Sequence, residues 1–283
     1  MYEINGKRIL ITGATSGVGK ETAKALAAQG ANLIIIARNV SKSKKLSDEI
    51  AQISNKNPAI YIADLSLMQE VKNATQRIKA DFSDIDILIN NAGLVMGDRK
   101  ETKEGFEYTL AVNHLAPFLL TRFLLPLLEK RAETKIINVA SEAHKMGNPN
   151  LHDFNYQNSK FKPMRVYGDT KLYNILFTKK LAAILQDKNT NPYCLHPGFV
   201  NSSFGHNLGT GTGLLLFLMR PFMINAKKGA HTTMHVVNLP FDKNDSGLYF
   251  KNSKPKNPSK MGNDKQLADE LWLKTEEVLK PWL

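Results

Sequence analysis

Residues 8–19 read RILITGATSGVG, a short apolar run that leads directly into a turn with three glycines. The apolar run predicts a buried strand over Arg8–Thr12, and the amphipathic stretch Val18–Gln29 predicts a helix directly after it. Glycines in such a turn let the backbone approach a diphosphate, which the amides at the start of the helix then bind. A tight strand-to-helix connection without a ligand has the same residues, so the meaning of the turn depends on the rest of the chain.

The alternation of short apolar runs with amphipathic stretches continues as far as His196. Further strands are predicted at Asn32–Ala37, Ala59–Ala63, Ile85–Asn90, Lys135–Ala140 and Pro192–His196. Further helices are predicted at Lys42–Ile53, Leu67–Ala80, Phe106–Lys130 and Val166–Gln186. Continuous apolar runs are typical of parallel strands that are covered on both faces. The pattern therefore predicts an α/β fold: one Rossmann-type, doubly wound parallel sheet with helices on both faces.

Two stretches that follow predicted strands break this alternation. Residues 142–165 are polar and turn-rich, and residues 198–226 combine glycines with the apolar run Leu214–Ile224. Ligands bind beyond the carboxyl ends of parallel strands, so we expect both stretches to border a site. Residues 198–226 are expected to form a substrate loop or lid.

We expect a single domain over residues 1–283, because no linker, repeat or low-complexity tract divides the chain. Residues 251–283 form a C-terminal extension in this interpretation. It is expected to begin with a solvated loop over Lys251–Lys260 and to end in a helix near Asp264–Leu279. The run Leu214–Ile224 is too short to span a membrane, which requires about 20 apolar residues.

The composition is that of an ordinary globular chain except for its charge. Of the 283 residues, 42% are hydrophobic and 23% are charged, which argues against disorder. The net charge of +12 favours nucleic acid, anionic lipid or a phosphorylated ligand as a partner. Cys194 is the only cysteine, so an intrachain disulfide and a cysteine-rich zinc site are excluded. A single cysteine fits a reducing, cytoplasmic location.

Several further motifs occur in a fixed order along the chain. The glycine turn follows the pattern T-G-x-x-x-G-x-G, and Tyr167 and Lys171 form Y-x-x-x-K. The other matching positions are Asn90-Asn91-Ala92-Gly93, Asn113, Ser141 and Pro197-Gly198. Together these residues resemble the short-chain dehydrogenase/reductase family over roughly residues 7–203. The resemblance implies an NADP(H)- or NAD(H)-dependent oxidoreductase.

The spacing of Tyr167 and Lys171 has a chemical reason. Residues four apart lie on the same face of a helix and reach a common ligand. A free tyrosine titrates near pH 10, and a nearby ammonium stabilises the phenolate and so lowers the pKa of the tyrosine. The family resemblance implies that Tyr167 donates the proton to the substrate oxygen and that Lys171 also holds the cofactor ribose. It likewise assigns Ser141 to the substrate carbonyl and Asn113 to a proton relay.

The resemblance also implies a set of cofactor-binding positions. They are Gly13, Thr15, Ser16, Gly17, Val18, Gly19, Arg38, Asn39, Asp64, Leu65, Asn91, Ala92, Gly93, Tyr167, Lys171, Pro197, Gly198, Val200 and Ser202. Arginine after the second strand suits a 2′-phosphate, whereas an acidic residue there suits a free ribose. Arg38 occupies that position and Lys42, Lys44 and Lys45 follow, so we predict NADP(H). Asp64 also fits a helix N-cap.

Three histidines and the cysteine are assigned structural roles. We expect His114 to pack or form a hydrogen bond within the long helix. His144 and His196 flank the expected site, but their spacing fits no metal motif, so no metal is predicted. Cys194 lies in an apolar strand, which favours a buried side chain over a reactive thiol.

Within the family, the chain resembles the retinol dehydrogenase branch. Ser141 and Tyr167 are 26 residues apart, and the strings SEAH at 141–144, YGDTKLYN at 167–174 and CLHPG at 194–198 carry this resemblance. It implies a small-molecule substrate with a bulky apolar body, of the retinoid, steroid or long-chain aldehyde type. It also implies a homodimer formed through the two long helices.

Alternative functions remain open at this point. A sugar-nucleotide epimerase shares Y-x-x-x-K but needs a larger substrate domain, and a cofactor-binding scaffold needs no turnover. Nucleic-acid binding is suggested only by the net charge, and we predict no nucleic-acid partner because no binding motif is present. The basic charge and the apolar run Leu214–Ile224 also suggest peripheral contact with an anionic membrane.

Overall fold

The centre of the fold is one sheet whose first six strands follow the predicted apolar runs. The structure is a computed structural model and describes residues 2–200 and 224–283. The strands are β1 Arg8–Thr12, β2 Asn32–Ala37, β3 Ala59–Ile62, β4 Ile87–Asn90, β5 Thr134–Val139, β6 Thr190–His196, β7 Tyr249–Lys251 and β8 Lys254–Lys256. Their order is β3-β2-β1-β4-β5-β6-β7-β8, and only β8 pairs antiparallel. The predicted doubly wound parallel sheet is confirmed, with an antiparallel edge added.

Helices cover both faces of this sheet, as predicted. They are α1 Gly17–Ala28, α2 Val40–Ser54, α3 Met68–Asp81, α4 Tyr108–Leu128, α5 Pro163–Ile184, α6 Ala226–Asn238 and α7 Lys265–Leu279. Short 3₁₀ turns at Glu142–Met146 and Leu151–Asp153 lie in the connection between β5 and α5. Helix α6 was not predicted, and its first residue was assigned to the lid.

The two apolar cores are built by alternating residues of the strands. Along β1, Leu10 packs into the cluster formed with α3, α4, α5 and α7, whereas Ile9 and Ile11 pack with α1, α2 and α6. All three side chains are fully buried. Because successive strand residues point to opposite faces, a continuous apolar run fills both cores.

Helix α4 is interrupted by a π-helical segment over Ala111–Leu115. Pro117 lies two residues after this segment, and it has no backbone N–H to donate and its ring needs room near the carbonyl four residues earlier, which lies within the segment. The wider π turn supplies that room. Tyr108–Leu128 is also the one described helix that is long and apolar enough to cross a membrane, but 78% of its apolar window is buried within the fold. Leu214–Ile224, the apolar run that the sequence analysis judged too short to span a membrane, lies outside the described residues except for Ile224.

The C-terminal extension contributes structure rather than only a solvated loop. The prediction for Lys251–Lys260 is wrong in part, because Lys254–Lys256 forms β8 and pairs with β7. A strand of three residues with two lysines lacks the apolar pattern that sequence analysis depends on. The helix predicted near the C-terminus is confirmed as α7, which packs Trp272 against Phe118 and Phe177.

Candidate active site

The glycine turn after β1 packs its backbone closely against the stretch after β4 and against the start of α1. Gly13 has φ of +67°, and a Cβ on this residue would lie 2.7 Å from the Cα of Ala92. A Cβ on Gly19 would lie 2.3 Å from both the carbonyl oxygen of Gly13 and the side-chain nitrogen of Asn91. Ser16 is the N-cap of α1, but its side chain forms no capping hydrogen bond. The first amides of α1 therefore lack a side-chain acceptor and suit an anion.

The stretch after β4 is hydrogen-bonded to the end of β1. The backbone N–H groups of Asn91 and Ala92 donate to the Thr12 hydroxyl at 3.1 and 3.0 Å. The Asn91 side chain donates to the carbonyls of Thr12 and Gly13 at 2.9 and 3.2 Å. Asn91 thus shapes the glycine turn. Thr12, for which the sequence predicted no role, is the acceptor that joins the two strand ends.

Asn113 lies in the π segment of α4 and joins three parts of the site. Its side-chain oxygen accepts from the N–H of Leu94 at 2.8 Å, and its nitrogen donates to the Leu94 carbonyl at 2.9 Å. The same nitrogen donates to the Thr170 hydroxyl at 3.0 Å. These bonds fix the loop after β4 and the catalytic face of α5 relative to α4. Asn113 is fully buried.

Ser141, Tyr167 and Lys171 meet where β5 ends and α5 passes over it. The side chains of Ser141 and Tyr167 share a hydrogen bond. The ammonium of Lys171 donates to the Val139 carbonyl at 2.9 Å and lies 5.6 Å from the centre of the Tyr167 ring. A Cβ on Gly93 would lie 3.1 Å from Lys171 Nζ and 3.4 Å from the side-chain oxygen of Asn113. The structure therefore brings the four predicted catalytic residues together.

The protonation of this pair differs from the sequence-based expectation. Burial raises the pKa of Tyr167 well above its usual value, and the hydrogen bond with Ser141 opposes only part of that rise. Burial also lowers the pKa of Lys171 to about 8. The expectation was that Lys171 lowers the pKa of Tyr167. Loss of water is the largest cause of both shifts, so Tyr167 holds its proton at neutral pH.

A comparison with protein families identifies this arrangement. The model of the short chain dehydrogenase family matches residues 7–212, which include the glycine turn, Ser141, Tyr167 and Lys171. The chain belongs to the short-chain dehydrogenase family. Within this family of oxidoreductases acting on CH–OH groups, it lies in the retinol dehydrogenase-like branch, as the individual relatives show.

Two curated relatives of this short-chain dehydrogenase carry the branch assignment. Retinol dehydrogenase 12 of Mus musculus is 37% identical over 281 residues, which cover 98% of this chain and 87% of the relative. Retinol dehydrogenase 13 of Homo sapiens is 31% identical and aligns over 98% of this chain and 85% of its own length.

Two solved structures show the same fold. A protein of Mycobacterium paratuberculosis whose function is uncharacterised has a TM-score of 0.80 at 26% identity, and the match covers 98% of this chain and 95% of that one. An alcohol dehydrogenase of the archaeon Thermococcus sibiricus, complexed with 5-hydroxy-NADP, has a TM-score of 0.65 at 22% identity. That match covers 83% of the present short-chain dehydrogenase and 92% of the archaeal chain.

The residues of this dehydrogenase fit a dinucleotide cofactor. The glycine turn leaves no room for a Cβ at Gly13 or Gly19, and the uncapped start of α1 suits a diphosphate. Lys171 is buried and donates to one carbonyl, so its remaining N–H groups suit hydroxyl acceptors. Thr15, Gly17 and Val18 are half-buried on the same turn, and Ser16 is exposed.

The residues predicted around the adenosine differ in what their side chains do. Arg38 follows β2, is 63% exposed, and donates to the Tyr108 hydroxyl at 2.8 Å while lying 3.5 Å from a carboxylate oxygen of Asp64. Asn39 is the N-cap of α2 and accepts from Lys42 N at 2.9 Å. Arg38 is thus the residue of this set whose charged group faces solvent.

The alternative role of Asp64 as a helix N-cap is wrong, because Leu67 is the N-cap of α3. Asp64 instead accepts from Ser66 N at 2.9 Å within a turn. Leu65 is 9% exposed and belongs to the apolar core, so its side chain is used in packing. Only backbone groups of Leu65 remain for a ligand.

The residues after β6 lie beside the glycine turn. Gly198 has φ of +98°, and Pro197 precedes it at the carboxyl end of β6. Val200 pairs with Ile224, and a Cβ on Gly229 of α6 would lie 2.7 Å from Val200 and 2.8 Å from Val18. Val18 and Val200 therefore both lie against α6 at Gly229. Ser202 lies outside the described residues, as does most of the predicted lid.

The connection between Ser141 and Tyr167 holds functional contacts that sequence reasoning missed. A Cβ on Gly168 would lie 2.8 Å from the carbonyl oxygen of Ala143, so the first 3₁₀ turn rests directly on the helix beside Tyr167. Asp169 is buried and accepts from Asn148 N at 2.6 Å and from the Tyr156 hydroxyl at 3.2 Å. The glycine after the catalytic tyrosine was the available signal.

The histidines and the cysteine have the expected structural roles. His114 Nε2 lies 2.9 Å from the Thr275 hydroxyl of α7 and is buried, which confirms the prediction of a hydrogen-bonded core residue. Cys194 is buried, which confirms the prediction of a buried side chain, and burial raises its pKa to about 12. His144 and His196 each bond to backbone near Ser141. Within residues 2–200 and 224–283, no group of three acidic, histidine or cysteine side chains is arranged to hold a metal ion.

Proposed function

We propose that this short-chain dehydrogenase transfers hydride reversibly between NADP(H) and a carbonyl/alcohol pair on a bulky apolar substrate, with Tyr167 as the acid/base. The observation that carries the proposal is the convergence of Ser141, Tyr167, Lys171 and Asn113 at the carboxyl ends of β4 and β5. That edge of a parallel sheet is where ligands bind in such folds.

Tyr167 and Ser141 act on the substrate oxygen. Because burial keeps Tyr167 protonated, its hydroxyl can donate a proton to the oxygen as the carbonyl becomes an alcohol. The Ser141 hydroxyl stabilises the negative charge that develops on the same oxygen. When bound, the nicotinamide cofactor supplies the hydride to the carbonyl carbon. Oxidation runs these steps in reverse, with Tyr167 accepting the proton.

Lys171 and Asn113 position Tyr167 and support the return of its proton after each transfer. Lys171 has a pKa of about 8 and is mostly protonated at neutral pH, so its ammonium favours the tyrosinate that remains after proton transfer. Asn113 holds the loop after β4 against α5 through its bonds to Leu94 and Thr170. It thereby fixes the distance between the cofactor side of the site and Tyr167, and a water bound beside it would complete the proton relay.

NADP(H) is proposed over NAD(H) because of Arg38. Its guanidinium follows β2, is largely exposed and is held in place by the Tyr108 hydroxyl, which suits the 2′-phosphate of the adenosine. The structural neighbour from Thermococcus sibiricus carries an NADP derivative, which supports the same choice. Lys42, Lys44 and Lys45 add positive charge on the adjoining helix.

The substrate class and setting complete the proposal. The names of the two curated relatives support an alcohol such as a retinoid, and Met146 and Phe199, which flank the site, are 51% and 42% exposed. A cytoplasmic location, reversible contact with an anionic membrane and a homodimer are proposed with it. The face of α4 and α5 that contacts Trp272 is already covered by α7.

Replacement of the tyrosine tests the chemistry. Tyr167→Phe removes only the hydroxyl, so kcat for NADPH-dependent reduction is expected to fall roughly 10²- to 10⁴-fold. The measurement is NADPH oxidation against aldehydes and ketones of increasing chain length and ring content. Tyr61→Phe is the matched control, because Tyr61 bonds to Asp81 away from the site. Retained activity in Tyr167→Phe would overturn the mechanism, and equal rates across the panel would overturn the apolar substrate class.

Replacement of the arginine tests the cofactor. Arg38→Ala is expected to raise KM for NADPH about 10- to 100-fold and to leave KM for NADH unchanged, because only NADPH carries the 2′-phosphate. Arg122→Ala removes an arginine of comparable exposure that pairs with Glu276 on α7 and serves as the control. Equal KM values for the two cofactors in the unmodified protein would contradict the choice of NADP(H).

A further inference from the structure

A cavity with several lysines lies beside the β7–β8 hairpin at the edge of the sheet. Its volume is about 380 Å³, and its lining includes Lys145, Lys251, Lys254, Lys256, Asn252 and Glu142. These residues are separate from the four proposed for hydride transfer. We propose that this lysine cavity binds an anionic phosphate group.

The register of the hairpin directs three of the lysines to one face. Lys251 lies directly opposite Lys254, and Lys256 lies opposite Tyr249. Residues directly opposite each other in an antiparallel pair point to the same side of the sheet. Like charges in directly opposite positions destabilise a hairpin. An anion between Lys251 and Lys254 would remove that repulsion.

Glu142 is the one acidic residue among the described residues of the lining, and it is already bound to neighbouring side chains. One carboxylate oxygen of Glu142 lies 2.8 Å from the ammonium groups of both Lys145 and Lys251, and the other accepts from the Tyr249 hydroxyl at 2.9 Å. Burial opposes ionisation, but these bonds lower the pKa of Glu142 to about 2. One negative charge therefore faces four positive charges.

Lys254 and Lys256 have no acidic partner in the described part of the chain. Both lie on β8, whose three residues are exposed, and no ion pair joins either ammonium to a described carboxylate. Their charges therefore remain available to a ligand from solvent.

The turn of the hairpin is held in an uncommon backbone conformation. Asn252 and Ser253 have φ of +51° and +57°, the left-handed region that glycine favours. The N–H of Ser253 donates to the Thr232 hydroxyl of α6 at 3.3 Å, which anchors the turn. Positive φ at both central residues is the geometry of a type I′ turn, the usual connection of a two-residue hairpin loop. It places the side chain of Asn252 in the cavity lining, where its amide adds a neutral donor.

Protection of an exposed edge strand explains only part of this arrangement. Lysine and proline on an edge strand prevent pairing with other chains, and β8 reads Lys-Pro-Lys. Lys145 and Lys251 are not on that strand, yet they line the same cavity. Edge protection needs charge but does not need charges that converge on a concave space.

Phosphate is the anion that this set of groups fits. Lysine ammonium groups bind phosphate as point charges from several directions, whereas planar carboxylates are better matched by the arginine fork. A phosphate with three or more free oxygens can contact lysines from both β7 and β8 at once. Two sources offer this group: a soluble phosphate ester and the headgroup of a phospholipid.

A titration with inorganic pyrophosphate tests the site without any need for turnover. Lys254→Gln/Lys256→Gln is expected to weaken pyrophosphate binding about tenfold or more relative to the unmodified chain, because two charge-assisted contacts are lost. Lys79→Gln/Lys280→Gln removes the same charge from exposed positions outside the cavity and is the matched control. Pyrophosphate bound at the glycine turn contributes equally to both variants, so their difference reports the cavity.

Thermal unfolding supplies a second measurement on the same proteins. Without ligand, the cavity variant is expected to melt at the same temperature as the unmodified chain or higher, because the Lys251–Lys254 opposition is relieved. With pyrophosphate, the melting temperatures of the unmodified chain and of the control are expected to rise more than that of the cavity variant. Equal affinities and equal shifts in the two double variants would overturn the proposal, as would aggregation of the cavity variant with unchanged affinity.

Sedimentation with vesicles distinguishes the two sources of phosphate. Phosphatidylcholine vesicles containing phosphatidic acid, whose headgroup is a phosphate monoester with three free oxygens, are compared with pure phosphatidylcholine. Loss of anionic-vesicle binding in the cavity variant alone assigns the site to a lipid headgroup. Pyrophosphate binding without vesicle binding assigns it to a soluble phosphate ester. Absence of both kinds of binding in the unmodified chain would overturn the site.

Discussion

Two turns in this molecule depend on glycine in the same way and serve opposite purposes. At the turn after β1, Gly13 and Gly19 leave no room for a Cβ, and the start of α1 lacks a side-chain cap. Where the connection after β5 packs on α5, Gly168 of α5 leaves no room either, but here the 3₁₀ turn of the connection fills the space. Close approach through glycine thus marks an opening for a ligand only where the nearby polar groups lack internal partners.

The connection after β5 satisfies its polar groups internally. Asp153 accepts hydrogen bonds from the backbone N–H groups of residues 157, 158 and 159, and Asp169 accepts from Asn148. These carboxylates accept hydrogen bonds from backbone N–H groups of the connection, as a bound diphosphate would accept them from the turn after β1. The comparison makes three separable predictions.

The largest effect is expected at the turn left open for a ligand. Gly19→Ala places a Cβ 2.3 Å from the Gly13 carbonyl, which forces the backbone of the turn apart. We expect NADPH affinity to fall at least about 1000-fold, because more than one phosphate-binding amide moves. Tryptophan fluorescence titration measures the affinity, and circular dichroism confirms folding. Gly6→Ala is the control for backbone strain alone, because Gly6 has φ of +74° but a Cβ there meets nothing within 4 Å. Unaltered NADPH affinity in Gly19→Ala would break the comparison.

A smaller, different effect is expected at the self-filled turn. Gly168→Ala would push the Ala143 carbonyl, now 2.8 Å from the position of the new Cβ, and move Ser141 away from Tyr167. We expect kcat to fall about 10- to 100-fold while the Kd for NADPH stays unchanged, because misplacement of about 1 Å costs up to that much. Steady-state kinetics and cofactor titration separate the two quantities. Gly105→Ala is the control for backbone strain alone, because Gly105 has φ of +86° but the atom nearest to a Cβ there is 3.9 Å away. A parallel loss of cofactor affinity would show that the two turns are not independent.

The smallest effect is a pH dependence of stability. Burial raises the pKa of Asp169 from near 4 to about 6, so the folded chain keeps a proton that the unfolded chain has released between these values. The Asp169 contribution to the free energy of unfolding therefore falls as pH rises from about 4 to about 6. Asp169→Asn does not titrate and should remove about 2 kcal/mol of that fall.

Chemical denaturation at several pH values measures this difference. Asp187→Asn, an exposed carboxylate just beyond α5, is the control and should keep the pH profile of the unmodified chain. Parallel profiles for Asp169→Asn and the unmodified chain would show that Asp169 is ionised in the folded state.

The first six strands and the site at their carboxyl ends were predictable because the signals are local. β1 and β2 begin and end at the predicted residues, since continuous apolar runs bounded by polar residues need no distant partner to be recognised. Tyr167 and Lys171 were predictable for the same reason, because a spacing of four positions on one helix places both side chains on the same face.

The rest depends on partners far apart in the chain. Helix α6 carries polar residues and Gly229, and its position follows from contact with Val18 and Val200 rather than from its own pattern. The role of Asp169 depends on Asn148, 21 residues earlier. The pKa of Tyr167 is set by burial that the completed fold produces, which no spacing along the sequence contains.

The bond between His114 and Thr275 has a consequence for the order in which the molecule is assembled. These residues are 161 positions apart, and α7 leaves the ribosome after every described strand of the sheet. Domains made from the N-terminus can begin to fold during synthesis. The π segment that carries Asn113 is nevertheless closed on one side only when Thr275 arrives. We therefore expect a nascent chain to acquire its sheet early and its catalytic geometry last.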